Sequence, residues 1–150
     1  MSRGKEWISI RQEIEHVRNY LHIQKIRYRD VLDFAIEVDE NILDGTILKL
    51  TLQPLVENAL YHGIKNKRNG GTIIVRAKRT DQNLVLLEVQ DDGVGFTPYK
   101  LSQIKAKINE DSGEITSTDS GFGLDNVNKR IQLYYGKQYG LTVQSQYPVS

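Results

Sequence analysis

The stretch QPLVENALYHG, from Gln53 to Gly63, puts two chemistries on one helix. Leu55, Val56, Ala59 and Leu60 recur at helical spacing and require a core. Glu57, Asn58 and His62 sit among them and require water, a metal or a ligand. Pro54 suits the first turn of a helix beginning near Thr51, and Gly63 suits the position just after its end. Asn58 and His62 are an i, i+4 pair and so share a helical face. An amide oxygen is a hard ligand of the kind Mg²⁺ accepts beside waters and phosphates. The plain alternatives are a satisfied buried amide at Asn58 and, at His62, a histidine bonded to the last carbonyls.

Upstream, Ser9 and Gln12 form a capping box ahead of a helix expected from about Ile8 to Arg29. Ile10, Ile14, Val17, Leu21, Gln24 and Tyr28 make its stripe, which packs on its own domain or pairs with a partner helix. VLDFAIEVD (31–39) alternates like a strand. Downstream, KNKRNGG is a turn-rich loop, and TIIVRAKR and NLVLLEVQ flank TDQ as an antiparallel hairpin. LTVQSQY reads as the last strand, and the chain stops at YPVS where one more would be comfortable.

Two glycine clusters follow the hairpin. Asp91-Asp92-Gly93-Val94-Gly95 comes straight off an apolar strand. Its glycines permit positive φ and close approach of a flat ligand, and a carboxylate there can accept from an exocyclic amine. An ordinary Asp-Gly turn is the alternative. Gly121-Phe122-Gly123-Leu124 opens a second helix, whose buried face is expected to be Leu124, Val127, Ile131 and Tyr134 or Tyr135. Free N–H groups at a helix start favour phosphate, although a lone G-x-G is weak evidence. Between the clusters, Tyr99–Ser120 starts with weak helical signal and becomes polar, as mobile or functional segments do.

The bulk numbers narrow the class. A chain of 150 residues with 39% hydrophobic and 26% charged residues is one soluble globular domain. The net charge of +1 makes no electrostatic case for nucleic acid, and zero cysteines remove disulfides, thiolate zinc sites and thiol catalysis. No apolar run reaches membrane-spanning length, and MSRGKEW lacks a signal-peptide core. Residues 1–6 read as a remnant or linker. A soluble piece of a longer membrane protein has this composition too.

In this order the clusters resemble the ATP-binding domain shared by sensor histidine kinases, DNA gyrase, heat-shock chaperone ATPases and mismatch-repair ATPases. LVENALYHG resembles its N box, DDGVGF its first glycine box and GFGL its second. The nearer likeness is to bacterial two-component sensor kinases carrying LQPLVENA…HG, whose preceding segment EIEHVRNYLHIQKIRYRDVL also resembles. The likeness spans roughly residues 7–147, and residues 7–150 are the expected ATP-binding catalytic domain. It implies an α+β fold: a two-layer α/β sandwich of the Bergerat type, a mixed, largely antiparallel sheet with helices on one face. It implies ATP and Mg²⁺ as cofactors, with Asn58 as the metal ligand and Glu57 and Asn58 as candidate catalytic residues. Asp91 is the implied adenine reader and Asp92 occupies a variable position. His62, Gly93, Gly95, Gly121, Gly123 and Leu124 are implied nucleotide contacts, and Tyr99–Ser120 a lid hinged at Gly95 and Gly121.

Two departures stand out. The hydrolases of this family place a water-activating carboxylate four residues before the Mg-binding Asn, and here that position is Pro54. Related kinases often have Lys or Arg three residues after it; here it is Tyr61, leaving Lys65 or Lys67 to supply charge. The implied activity is transfer of the ATP γ-phosphoryl to a histidine of an upstream dimerisation domain, and onward to a response regulator. The implied whole protein is a membrane-anchored homodimer with this domain in the cytoplasm. His16, His22 and His62 lie in no phosphoacceptor motif. The alternatives are an anti-sigma-factor-like serine kinase and a nucleotide-sensing module without transfer.

Overall fold

The computed structural model describes residues 6–28, 32–64, 70–82, 84–93, 95–109 and 124–144. The chain divides into two compact units, residues 1–93 and 94–150.

The first unit begins with a short strand, β1 (Trp7–Ser9), and a long helix, α1 (Ile10–Arg27). The helix starts two residues later than its apolar pattern predicts. Ile8, which the pattern counts as helical, is instead paired with Ile47 in an antiparallel ribbon between β1 and β3 (Thr46–Leu48). The capping box is present: the Ser9 hydroxyl accepts the Gln12 N–H, and the Gln12 side chain accepts the Ser9 N–H. Ile10, Ile14, Val17 and Leu21 are buried, while Gln24 and Tyr28 are half-buried. The stripe therefore serves this chain's own core.

Strands β2 (Leu32–Val38), β4 (Gly71–Arg79) and β5 (Val85–Asp91) form a mixed sheet in the order β2-β4-β5. β2 and β4 are parallel; β4 and β5 are the expected hairpin. Register places Phe34, Ile73 and Asp91 in one row and Ile36, Val75 and Val89 in the next. Apart from Asp91, these side chains belong to the core, together with those of α1 and the Gln53 helix. The opposite face is polar: the Arg76 guanidinium donates to Glu37, Glu88 and Gln90 across all three strands. One apolar sheet face covered by helices is the two-layer sandwich expected from the sequence.

The Gln53–Gly63 segment is helical but not uniform. α2 (Gln53–Asn58) is followed without a break by a wider, π-helical turn, Ala59–Ile64. Gly63 thus lies inside the helical run rather than just after it. Pro54 is in the first turn, as expected. Val56, Ala59, Leu60 and Ile64 face the core, and Leu55 is only half-buried.

In the second unit, α3 (Pro98–Ile108) packs on α4 (Leu124–Tyr135). Thr97 caps α3 through its hydroxyl, which accepts the Lys100 N–H, and Pro98 occupies the first turn. Helix is thus firmer here than the weak pattern predicts. The face that α4 buries also differs from expectation. Leu124 and Val127 are buried with Asp125, Asn128 and Lys129, whereas Ile131 is half-buried and Tyr134 and Tyr135 are exposed. Asn128 accounts for part of this turn: its amide donates to the Ile108 carbonyl and accepts the Leu141 N–H. Residues 141–144 are not in a strand, and the remainder of LTVQSQY lies outside the described residues.

Candidate functional site

Asn58 closes α2 immediately before the helix widens. A π turn shifts the side chains after it around the axis, and such turns recur at functional sites. The Asn58 amide oxygen is buried and has no hydrogen-bond partner among the described residues. Most buried side-chain polar atoms in folded proteins have a hydrogen-bond partner. The π turn lies against β4 and β5. His62 on this turn is half-buried, with Tyr61 edge-on at 4.9 Å between ring centroids.

Asp91 ends β5 in register with the core residue Ile73, so its side chain points to the sheet face that carries the helices. One carboxylate oxygen accepts the Gly93 N–H at 2.9 Å, which shapes the turn off the strand. Asp92 has a different task. Its carboxylate accepts the Thr72 N–H at 2.7 Å and ties the turn to the start of β4. A Cβ on Gly71 would meet that carboxylate at 2.2 Å, so glycine there makes room for it. In the second unit, Gly95 has φ +74°, the left-handed region that favours glycine.

Glu57 is exposed and bonds weakly to Gln53 at 3.4 Å. It also acts on α1. Burial raises the Tyr20 phenol above its ordinary range, Glu57 and Tyr28 push it further, and Arg27 opposes them. Leu124 is buried at the start of α4. Gly121, Gly123, Lys65 and Lys67 lie outside the described residues. Among the described residues no group of three or more His, Cys, Asp and Glu could hold a metal. Mg²⁺ commonly draws most of its ligands from phosphate and water rather than from such a cluster.

The residue patterns did not single out two buried acids. Glu13 is fully buried, and its carboxylate accepts the N–H groups of Leu50, Thr51 and Leu52 just ahead of α2. Its signal was an acid three residues after Ile10 and four before Val17, within the apolar stripe. Asp125 is also fully buried, and neither carboxylate oxygen has a partner among the described residues. Its place in the first turn of α4 suits a negative charge.

Residues 44–147, more than half of the chain, match the family model described as histidine kinase-, DNA gyrase B- and HSP90-like ATPase. The chain belongs to this ATPase family. Membership implies ATP binding, and residues 1–32 additionally match a histidine kinase family model. This family member is 32% identical over 143 residues to the sensor histidine kinase YesM of Bacillus subtilis (strain 168), covering 95% of this chain and 22% of YesM. It is 30% identical over 143 residues to the sensor histidine kinase BtsS of Escherichia coli (strain K12), again covering 95% and 22%. It is 35% identical over 130 residues to YwpD of Bacillus subtilis (strain 168), covering 87% of this chain and 43% of YwpD. The chain thus spans less than half the length of each of these relatives. Among solved structures it resembles the histidine kinase domain of the blue-light activated histidine kinase of Erythrobacter litoralis EL346. That likeness has a TM-score of 0.58 at 16% identity, covers 94% of this chain and 57% of that one, and shows the fold.

Proposed function

We propose that residues 7–150 bind Mg-ATP and donate its γ-phosphoryl to a histidine on a separate upstream domain of a two-component sensor kinase. The observation that carries this reading is the buried amide oxygen of Asn58, which has no hydrogen-bond partner among the described residues. It sits immediately before a π turn that packs on the strand ending in Asp91.

The residues divide the work. The Asn58 oxygen holds Mg²⁺, which when bound neutralises charge on the phosphates. The Asp91 carboxylate accepts from the exocyclic amine of adenine, with the Gly93 N–H fixing its rotamer. His62 lies beside the nucleotide. Gly93, Gly95, Gly121, Gly123 and Leu124 are the remaining proposed contacts, the last three offering backbone N–H groups to phosphate. Glu57 is exposed and so accessible to an incoming acceptor. Phosphoryl transfer asks mainly for positioning and charge stabilisation, which these groups supply. The sensor-kinase names of YesM and BtsS support a histidine acceptor and a response regulator as partners. Among the described residues no helix is long and apolar enough to cross a membrane. In this reading a membrane anchor belongs to the rest of a longer protein, with this domain on the cytoplasmic side.

Asn58→Ala tests the reading. Calorimetry with ATP in the presence and absence of Mg²⁺ should show that the variant loses the Mg²⁺ enhancement and largely keeps metal-free binding. Full retention of the enhancement would make Asn58 a core amide and sink the assignment.

A further inference from the structure

The Glu13 carboxylate fills an anion-binding hollow made by backbone. Its oxygens accept N–H groups from Leu50 at 3.2 Å, Thr51 at 2.9 Å and Leu52 at 2.8 Å. Successive N–H groups converge in this way when left- and right-handed backbone conformations alternate. Leu50 is left-handed, with φ 62°, and Leu52 is right-handed. Leu50 is the one residue other than glycine with positive φ among the described residues. A branched side chain keeps that conformation only where its surroundings impose it, and the Glu13 carboxylate accepts the Leu50 N–H there. Leu52 is the N-cap of α2 and offers no side-chain cap of its own.

The bond therefore joins two parts with different roles. Glu13 lies on α1, within the segment that matches the histidine kinase family model, residues 1–32. Its three donors lie within the ATPase match, directly before the helix that ends in Asn58. α2 is six residues long, so fewer than two turns separate its N-cap, Leu52, from Asn58.

We propose that Glu13 is a positioning residue for the Mg-nucleotide site, locking the start of α2 to α1 so that the reach of Asn58 depends on where α1 sits. This rests on the assignment of Asn58 as the metal ligand. Movement of α1 is then read as a change in Mg²⁺-dependent nucleotide affinity, which gives the preceding segment of a kinase a direct hold on the site.

The test uses the full chain, a non-hydrolysable ATP analogue, and titrations with and without Mg²⁺. Glu13→Gln keeps the side-chain shape but sets an amide against three N–H donors. It should reduce the Mg²⁺ enhancement about tenfold or more, as loss of a group that orients a metal ligand does, and change metal-free binding less than twofold. Adding Leu50→Gly, which lets the backbone hold the left-handed conformation without a carboxylate, should restore part of the enhancement. If Glu13→Gln does not fold, Glu13→Asp, one methylene shorter, takes its place with the same expectations. Equal weakening of both titrations, or an intact enhancement in a protein whose Asn58→Ala variant loses it, overturns the positioning role alone. An enhancement that survives Asn58→Ala overturns the metal assignment, and the role of Glu13 falls with it.

Discussion

At the level of single residues, the proposed site sets polar groups among apolar ones. Asp91 ends a core-facing row in which the other positions are apolar, and one of its oxygens is committed to the Gly93 N–H. Asp91→Asn keeps an oxygen for that turn and removes the charge. It should weaken ATP binding by about 1.5–3 kcal/mol, the worth of a charge-assisted hydrogen bond, and barely change the unfolding midpoint. Calorimetry with ATP reads the first quantity and urea melting the second. Tyr20 offers a second check, on the placing of Glu57. Burial first, and Glu57 and Tyr28 after it, raise the folded phenol above its ordinary value of 10.0. The neutral phenol then contributes stability that is full below that value and is lost as pH rises through the folded one. Tyr20→Phe should lose less stability than the parent as pH climbs past about 10. Chemical denaturation at paired pH values measures the difference.

At the level of elements, local signals and burial parted company where polar groups were buried. Ser9 with Gln12 announced the start of α1 because a capping box is a local code, complete within four residues. Ser9→Ala should cost about 1 kcal/mol and free the Gln12 amide to exchange faster; unchanged urea stability and exchange would show that the helix start is held by the β1–β3 ribbon alone. The hairpin and strand β2 were legible from alternation, since one face had to be apolar, but the parallel pairing of β2 with β4 was not. The ribbon itself was not, because the pairing of Ile8 with Ile47 depends on a contact far apart in sequence. Helix α4 was misjudged for a related reason. A pattern that ranks Tyr134 and Tyr135 above Asn128 cannot see that Asn128 joins Ile108 to residue 141. Asn58 and His62 stood out as candidates because their types clash with apolar neighbours, and Asp91 because it precedes two glycines at a strand end. Glu13 escaped notice because a lone acid in an amphipathic helix looks like a solvated one until its three backbone partners are seen.

At the level of the whole molecule, the decisive question is what this chain does alone with ATP. It should bind the nucleotide and not phosphorylate itself on histidine. In-line displacement needs a nucleophile opposite the leaving oxygen. His16 and His22 are exposed on α1, outside the three ATP-site motifs, and the His22 ring stands edge-on against Phe34 on β2. His62 follows Asn58 on the same helical run and is half-buried against Tyr61, which suits a nucleotide contact rather than an attacking group. Water attack should also be slow, because Pro54 stands where a carboxylate would activate it and cannot serve as a base. The relatives that supply the kinase reading are longer, this chain covering 22% of YesM and of BtsS, which leaves room there for an acceptor domain. Incubation of the chain with γ-labelled ATP should leave it unlabelled at acid-labile positions. Supplying a histidine-containing dimerisation domain of a relative in trans should move label onto that domain. Stoichiometric acid-labile label on His16, His22 or His62 would show that the acceptor lies within this chain. ATP binding with no transfer to any supplied acceptor domain would favour a nucleotide-sensing module instead.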